Sequence, residues 1–149
     1  MKITDFKQTP SFPELEKEIL QFWDDDQTFS KSIEQKDINN SFSFYDGPPF
    51  ATGLPHYGHL MQSIIKDLIP RYQTMKGKRV RRVWGWDCHG LPVENIIEKE
   101  LNLDSKKEIE SYGVDKFNEA CRQTVLTYAE EWKKTIRRIG RWIDMDNAY

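Results

Sequence analysis

The sequence predicts an α/β fold preceded by a helical N-terminal arm, on three observations. Residues 41–45 alternate Phe42 and Phe44 with polar neighbours, the period of two that marks a half-buried strand. They then run through a turn rich in Pro and Gly into an apolar helical pattern that begins near Tyr57. Residues 79–83 are a basic, β-branched run carrying Val80 and Val83, which reads as a second strand. Helical periods flank both, over residues 13–26 before them and 114–139 after them.

Taken in order, residues 13–26 place Leu15, Ile19, Leu20, Phe22 and Trp23 among acids, with Ser11 and Pro13 as start signals, so the segment reads as an amphipathic helix. Phe29-Ser30-Lys31-Ser32 reads as a polar turn ending that helix, and residues 30–40 as a polar linker. The arm is therefore set at residues 1–40 and the body at 41–149. From Tyr57, Leu60, Ile64, Ile65, Leu68 and Ile69 recur at helical spacing; Pro70, lacking a backbone N–H, is expected to end or kink that helix near Ile69. Gly77 marks the turn into the second strand, residues 91–101 a short helix rich in Glu and Lys, and Asp104 or Ser105 the cap of another. The longest period, over residues 114–139, carries Val114, Phe117, Cys121, Val125, Tyr128, Trp132, Ile136 and Ile139 on one stripe, predicting a single long helix that Gly140 ends. Core packing explains such a stripe better than a cofactor box does, and makes Cys121 a small buried apolar residue.

Two short stretches carry chemistry. In the first, His56 and His59 are three apart at a helix start, so both imidazoles lie on one side of a turn. The unpaired N–H groups and partial positive charge of that end make it an anion site, where the imidazoles can donate to phosphate oxygens. Gly58 keeps side-chain volume low between them. The plain alternative is a pair of structural histidines. In the second, Trp84-Gly85-Trp86-Asp87-Cys88-His89-Gly90 follows the second strand, which puts Asp87 just past a strand's carboxyl end, where open α/β sheets bind ligands. A carboxylate walled by Trp84 or Trp86 suits a cation such as an amino acid's ammonium group; the alternative is a turn or helix cap. All three histidines of the chain fall in these two stretches, which favours one shared site.

The run from Asp46-Gly47-Pro48-Pro49-Phe50 to His56-Tyr57-Gly58-His59, followed by residues 85–94, resembles the front of the catalytic domain of class I aminoacyl-tRNA synthetases. Within them it resembles the isoleucine-specific subgroup, with His56-Tyr57-Gly58-His59 standing for the HIGH signature. The resemblance covers residues 12–149. It implies the first half of a Rossmann-like parallel-sheet nucleotide-binding domain. It implies His56 and His59 as catalytic residues on the ATP phosphates, with Gly53 and Gly58 completing the ATP site. Pro48, Pro49, Phe50, Trp86 and Asp87 are implied on the amino-acid side, Asp87 holding the ammonium group. The implied substrates are isoleucine, ATP with its Mg2+, and tRNA(Ile), with no metal site in this segment. The family's second half and its lysine-bearing KMSKS loop lie outside the resemblance, so catalysis by this segment alone is expected to be incomplete.

Composition bounds the alternatives. A chain of 149 residues can bury roughly 68–70% of its extended surface if it is one complete domain. With five Trp and eight Phe, half a domain would leave some aromatic surface exposed. Cys88 and Cys121 in a chain with no signal peptide fit the reducing cytoplasm, with no disulfide expected, and no apolar run approaches a membrane span. The net charge of −2 hides two basic clusters, Lys76, Lys78, Arg79, Arg81 and Arg82, and Lys133, Lys134, Arg137, Arg138 and Arg141. Each is either a tRNA contact or a solvated face. Two rival readings remain: a zinc site drawn from His56, His59, Asp87, Cys88 and His89, and a truncated, non-catalytic paralogue that binds isoleucine, its adenylate or a synthetase partner.

Overall fold

Phe12 and Pro13 open helix α1, Phe12–Asp25, where a missing proline N–H costs nothing because the first-turn donors have no intrahelical partner. The computed structural model describes residues 11–50 and 52–149, so the first ten residues of the arm lie outside the described part. α1 stops at Gln27, which takes the left-handed conformation at φ 53°, and α2, Thr28–Glu34, follows at once. That helix replaces the expected turn at residues 29–32 and much of the expected linker. Asp26 supports its start by accepting from Thr28 Oγ1 at 2.8 Å and Lys31 Nζ at 2.5 Å, bonds that lower its pKa. Phe29 then packs on Trp142, ring centroids 6.3 Å apart.

A short 3-10 turn, Ile38–Asn40, capped by Asp37, leads into the body. There three extended segments, residues 41–50, 79–87 and 143–149, lie side by side in parallel. They are joined by isolated bridges Ser41 to Arg79, Phe50 to Asp87 and Val83 to Asp144. Among the described residues no continuous strand forms: the strands expected at residues 41–45 and 79–83 are represented only by isolated bridges at Ser41, Arg79 and Val83, and the other bridging residues, Phe50, Asp87 and Asp144, lie outside the predicted strands. The bridge partners are nine residues apart in the first segment and eight apart in the second, so the first carries one extra residue. The run Asp46-Gly47-Pro48-Pro49 lies in that interval, and its two prolines have no N–H to give, so a continuous ladder cannot form there.

Helix α3, Tyr57–Met75, connects the first two segments and continues past Pro70. Sequence reasoning expects it to end or kink near Ile69; it does not end there, and the tertiary structure offsets a local cost of about 3 kcal/mol. Pro70 is fully buried, and its carbonyl accepts from Thr74 Oγ1 at 2.8 Å and from Arg82 Nη2 at 2.9 Å. The buried residues of α3 are Ser63, Pro70 and Thr74, whereas Met61, Ile64, Leu68, Tyr72 and Met75 face outward. α4, Leu91–Leu101, matches expectation, and Ser105 caps α5, Lys106–Tyr112.

The single long helix expected over residues 114–139 is two: α6, Val114–Thr124, and α7, Ala129–Arg138. Between them the bonding tightens to a three-residue step, Thr127 N–H to Thr124 O and Ala129 N–H to Leu126 O, while the Thr127 hydroxyl also donates to Thr124 O at 2.8 Å. A β-branched hydroxyl residue competes for the carbonyl the helix needs, which a count of apolar spacings does not register. Gly140 closes α7 at φ 71°. The main core is Trp84, Trp132 and Ile136, with Trp86, Ile139, Ile143 and Met145 around it. The arm docks beside it through Trp23, edge-on to Trp142 at 5.3 Å.

Candidate active site

His56 is the N-cap of α3. Its Nδ1 accepts the Gly58 N–H at 3.1 Å, and His59 Nδ1 accepts the His56 N–H at 3.3 Å, so two histidines form a reciprocal cap. The rings stack with centroids 3.7 Å apart. An imidazole nitrogen that accepts is unprotonated, so in the neutral ring the proton is on Nε2, and both side chains keep one donor each. Burial, with help from nearby His56 and Lys66, lowers the pKa of His59. Gly58 avoids crowding here, because a Cβ would stand 3.0 Å from His56 Cε1 and 3.1 Å from its Nδ1 and the ring would have to shift. At Gly53 a Cβ would meet nothing within 4 Å; its carbonyl matters instead, accepting from Trp132 Nε1 at 2.7 Å.

The second stretch lies against the first. Phe50 pairs with Asp87, whose N–H donates to the Pro49 carbonyl at 2.8 Å. The Asp87 carboxylate accepts one long contact, from His89 N–H at 3.5 Å, and the N-cap of α4 is Gly90, so Asp87 does not cap that helix. Trp86 is half-buried, edge-on to Trp84 at 5.3 Å and to Trp132 at 6.1 Å. Pro48, Pro49, Phe50 and His59 line a cavity of about 120 Å³ with Trp84 and Trp132. That is room for one moiety and not for a whole nucleotide, since ligand pockets run to about 300–1,000 Å³.

The same cavity is lined by a largely buried charge network that the sequence did not reveal, built on Asp46, Ser63, Lys66 and Arg141. Asp46 is paired with Arg141, whose Nη1 also donates to Ser63 Oγ at 3.1 Å. Lys66 Nζ lies 2.7 Å from Asp46 Oδ1 without hydrogen-bond geometry, and the same ammonium donates to the Gly47 carbonyl at 2.8 Å. Tyr149 closes the group by donating its hydroxyl proton to the Asp46 carbonyl at 2.6 Å. Nothing in local spacing pairs residues 46 and 141; the one sequence signal is an arginine between the helix-ending Gly140 and Trp142.

Arg82, Arg137 and Arg138 of the two basic clusters make contacts within the fold. Arg82 is 2% exposed, donates to Pro70 O and to Thr74 Oγ1, and lies over Phe29 and Trp142, where burial pushes its pKa down to about 10. Arg137 pairs with Asp24, and Arg138 with Glu16 at 2.7 Å. These residues tie the arm to the body. Of the residues in the zinc alternative, Cys88 and His89 line a cavity of about 320 Å³ with Cys121 and Glu94, separate from the cavity that His59 lines. Burial and Asp87 raise the Cys88 pKa.

A family model for class I tRNA synthetases (I, L, M and V) matches residues 18–149. The chain belongs to that family. It is 60% identical over 138 residues to the isoleucine--tRNA ligase of Treponema denticola, covering 93% of this chain and 12% of that protein. It is 53% identical over 141 residues to the isoleucine--tRNA ligase of Corynebacterium diphtheriae, covering 95% and 13%. This class I chain therefore spans about an eighth of the length of these relatives. In fold it is similar to the agnB2 LeuRS of Agrobacterium radiobacter K84, solved as a ternary complex with tRNA and LeuAMS. The TM-score is 0.55 at 21% identity, over 89% of this chain and 14% of that one. No helix among the described residues of the class I chain is long and apolar enough to cross a membrane.

Proposed function

We propose that this chain is the ATP- and isoleucine-facing first part of a cytoplasmic isoleucine--tRNA ligase, built on the first half of a Rossmann-like parallel sheet. The observation that carries the reading is the pairing of Phe50 with Asp87, which sets the histidine-bearing and aspartate-bearing stretches side by side. It does so in a chain 60% identical to a protein named for that reaction.

The isoleucine carboxylate attacks the α-phosphorus of ATP, pyrophosphate leaves, and isoleucyl adenylate remains; a terminal hydroxyl of tRNA(Ile) then takes the isoleucyl group and AMP leaves. The nucleophile is already an anion, so no general base is needed and catalysis is positioning plus charge stabilisation. His56 and His59 donate Nε2–H to the phosphate oxygens on which charge accumulates, and the start of α3 adds its dipole. Gly58 leaves space for the His56 ring and the nucleotide, and Gly53 holds the loop before α3. Pro48, Pro49 and Phe50 line the amino acid and adenosine, Trp86 walls the site, and Asp87 holds the ammonium group. Mg2+ arrives on the triphosphate.

Isoleucine-dependent exchange between ATP and pyrophosphate tests the reading, with this chain alone and with the same segment inside a full-length relative. In the full-length protein Asp87→Ala is expected to raise the KM for isoleucine more than that for ATP, and an equal loss of both would refute the assigned role. Binding of an isoleucyl adenylate analogue by the isolated chain without exchange is the expected result for a segment that binds but does not turn over.

A further inference from the structure

Trp132 lies outside both signature stretches, on α7, and is 1% exposed. Its indole N–H reaches back across 79 residues to the Gly53 carbonyl at 2.7 Å. Its ring is tilted on His59 at 4.8 Å and edge-on to Trp86 at 6.1 Å. One side chain from a later helix thus touches the loop before α3, the second histidine of the cap and the wall beside Asp87.

We propose that Trp132 is a positioning residue of the site: its N–H fixes the Gly53 carbonyl, and its ring holds the His59 imidazole so that Nδ1 caps the His56 N–H and Nε2–H stays available as a donor. The ligand at stake is the triphosphate, and in that respect alone the inference rests on the adenylate-forming reading. The geometry explains why a mere apolar filler does not suffice. Phe or Leu at this position would fill part of the same volume in the Trp84, Ile136 core, but neither carries the donor that anchors residue 53. The His56 to His59 cap is built from two modest hydrogen bonds, 3.1 and 3.3 Å long, on a helix end that is half solvent-exposed. Such a cap leaves the ring orientation weakly fixed, and the Trp132 ring, tilted against the His59 imidazole at 4.8 Å, restricts it together with the stacked His56 ring.

Nitrogen NMR on the isotope-labelled chain tests this. The wild-type Trp132 indole proton is expected to exchange with solvent at least about tenfold more slowly than an exposed indole, and His59 to be the Nε2–H tautomer. In Trp132→Phe, which keeps a ring and removes the donor, the His59 tautomer ratio and ring shifts change while His89, on a different segment, does not. A folded Trp132→Phe with an unaltered His59 spectrum overturns the proposal. So does free exchange of the wild-type indole, which decides the matter if the variant fails to fold. Added ATP separates the two readings: if wild-type His59 does not respond to it, the functional reading fails while the tautomer comparison still judges the positioning. If it does respond, Trp132→Phe is expected to need several-fold more ATP for the same response.

Discussion

Replacing Arg141 with Met removes one partner of a buried ion pair whose side chains are 4% and 6% exposed. The guanidinium also donates to Ser63 Oγ at 3.1 Å and lies over Trp84 at 5.2 Å, so three contacts go with it. Breaking a buried pair by removing one partner costs about 3–5 kcal/mol, because the other charge is left unpaired in the interior. Lys66 remains 2.7 Å from Asp46 Oδ1 and offsets part of this, which places Arg141→Met near the lower end, about 3 kcal/mol. At roughly 2–4 °C per kcal/mol for a chain of this size, the thermal midpoint falls by about 6–12 °C. Lys66 is 29% exposed and so partly hydrated, which makes Lys66→Met cost less, about 1 kcal/mol. Thermal and urea unfolding of the two variants measure both numbers, and Asp46→Asn combined with Arg141→Met is expected to be less damaging than the two changes added, since no lone charge remains. A drop of under about 2 °C for Arg141→Met, or equal losses for Arg141 and Lys66, would refute the assignment of Asp46 and Arg141 as the pair holding the two ends of the body together.

Gly58→Ala places a Cβ 3.0 Å from the His56 ring and is expected to push that imidazole off the Gly58 N–H, costing about 1 kcal/mol of cap, read by unfolding and by the His56 ring resonances. The folded-state pKa of His59 is lowered from 6.5, so the unfolded chain binds the proton more readily. Stability is then full above 6.5 and declines as pH falls below it toward the depressed folded value. His59→Asn, which keeps an acceptor for the His56 N–H, should flatten that part of the stability profile, and an unchanged slope would remove His59 as its source. Leu68→Glu alters a side chain 65% exposed among Met61, Ile64 and Tyr72 on the outer face of α3. It is expected to leave stability within about 0.5 kcal/mol in urea unfolding, whereas a larger loss would show that this face is packed in solution.

Local rules succeeded where local forces decide. Pro13 and the acids beside it start α1, Ser105 caps α5, Gly140 stops α7, and residues 91–101 form the helix their spacing predicts. They failed where a partner distant in sequence settles the matter. Pro70 stays helical with its ring fully buried by residues from elsewhere in the chain, Arg82 among its neighbours. Residues 28–34 become a helix because Phe29 finds Trp142. The apolar stripe over residues 114–139 ran unbroken in the sequence, yet Thr127 divides it by competing for a carbonyl. The basic residues at 82, 137, 138 and 141 could be read from the sequence only as a tRNA contact or a solvated face, and the ion pairs and hydrogen bonds they make across helices and segments were not legible there.

The sequence by itself determined which residue types stand at the candidate site and that two of them share a helix start, since hydrogen-bond capping and helical spacing act within a few residues. Only the tertiary structure decided that Asp87 lies beside Phe50, that Trp132 backs His59, and that Asp46 and Arg141 form one buried pair. Those contacts cross tens of residues, and which of many compatible partners meet is fixed by the packing of the whole chain, which no local pattern encodes.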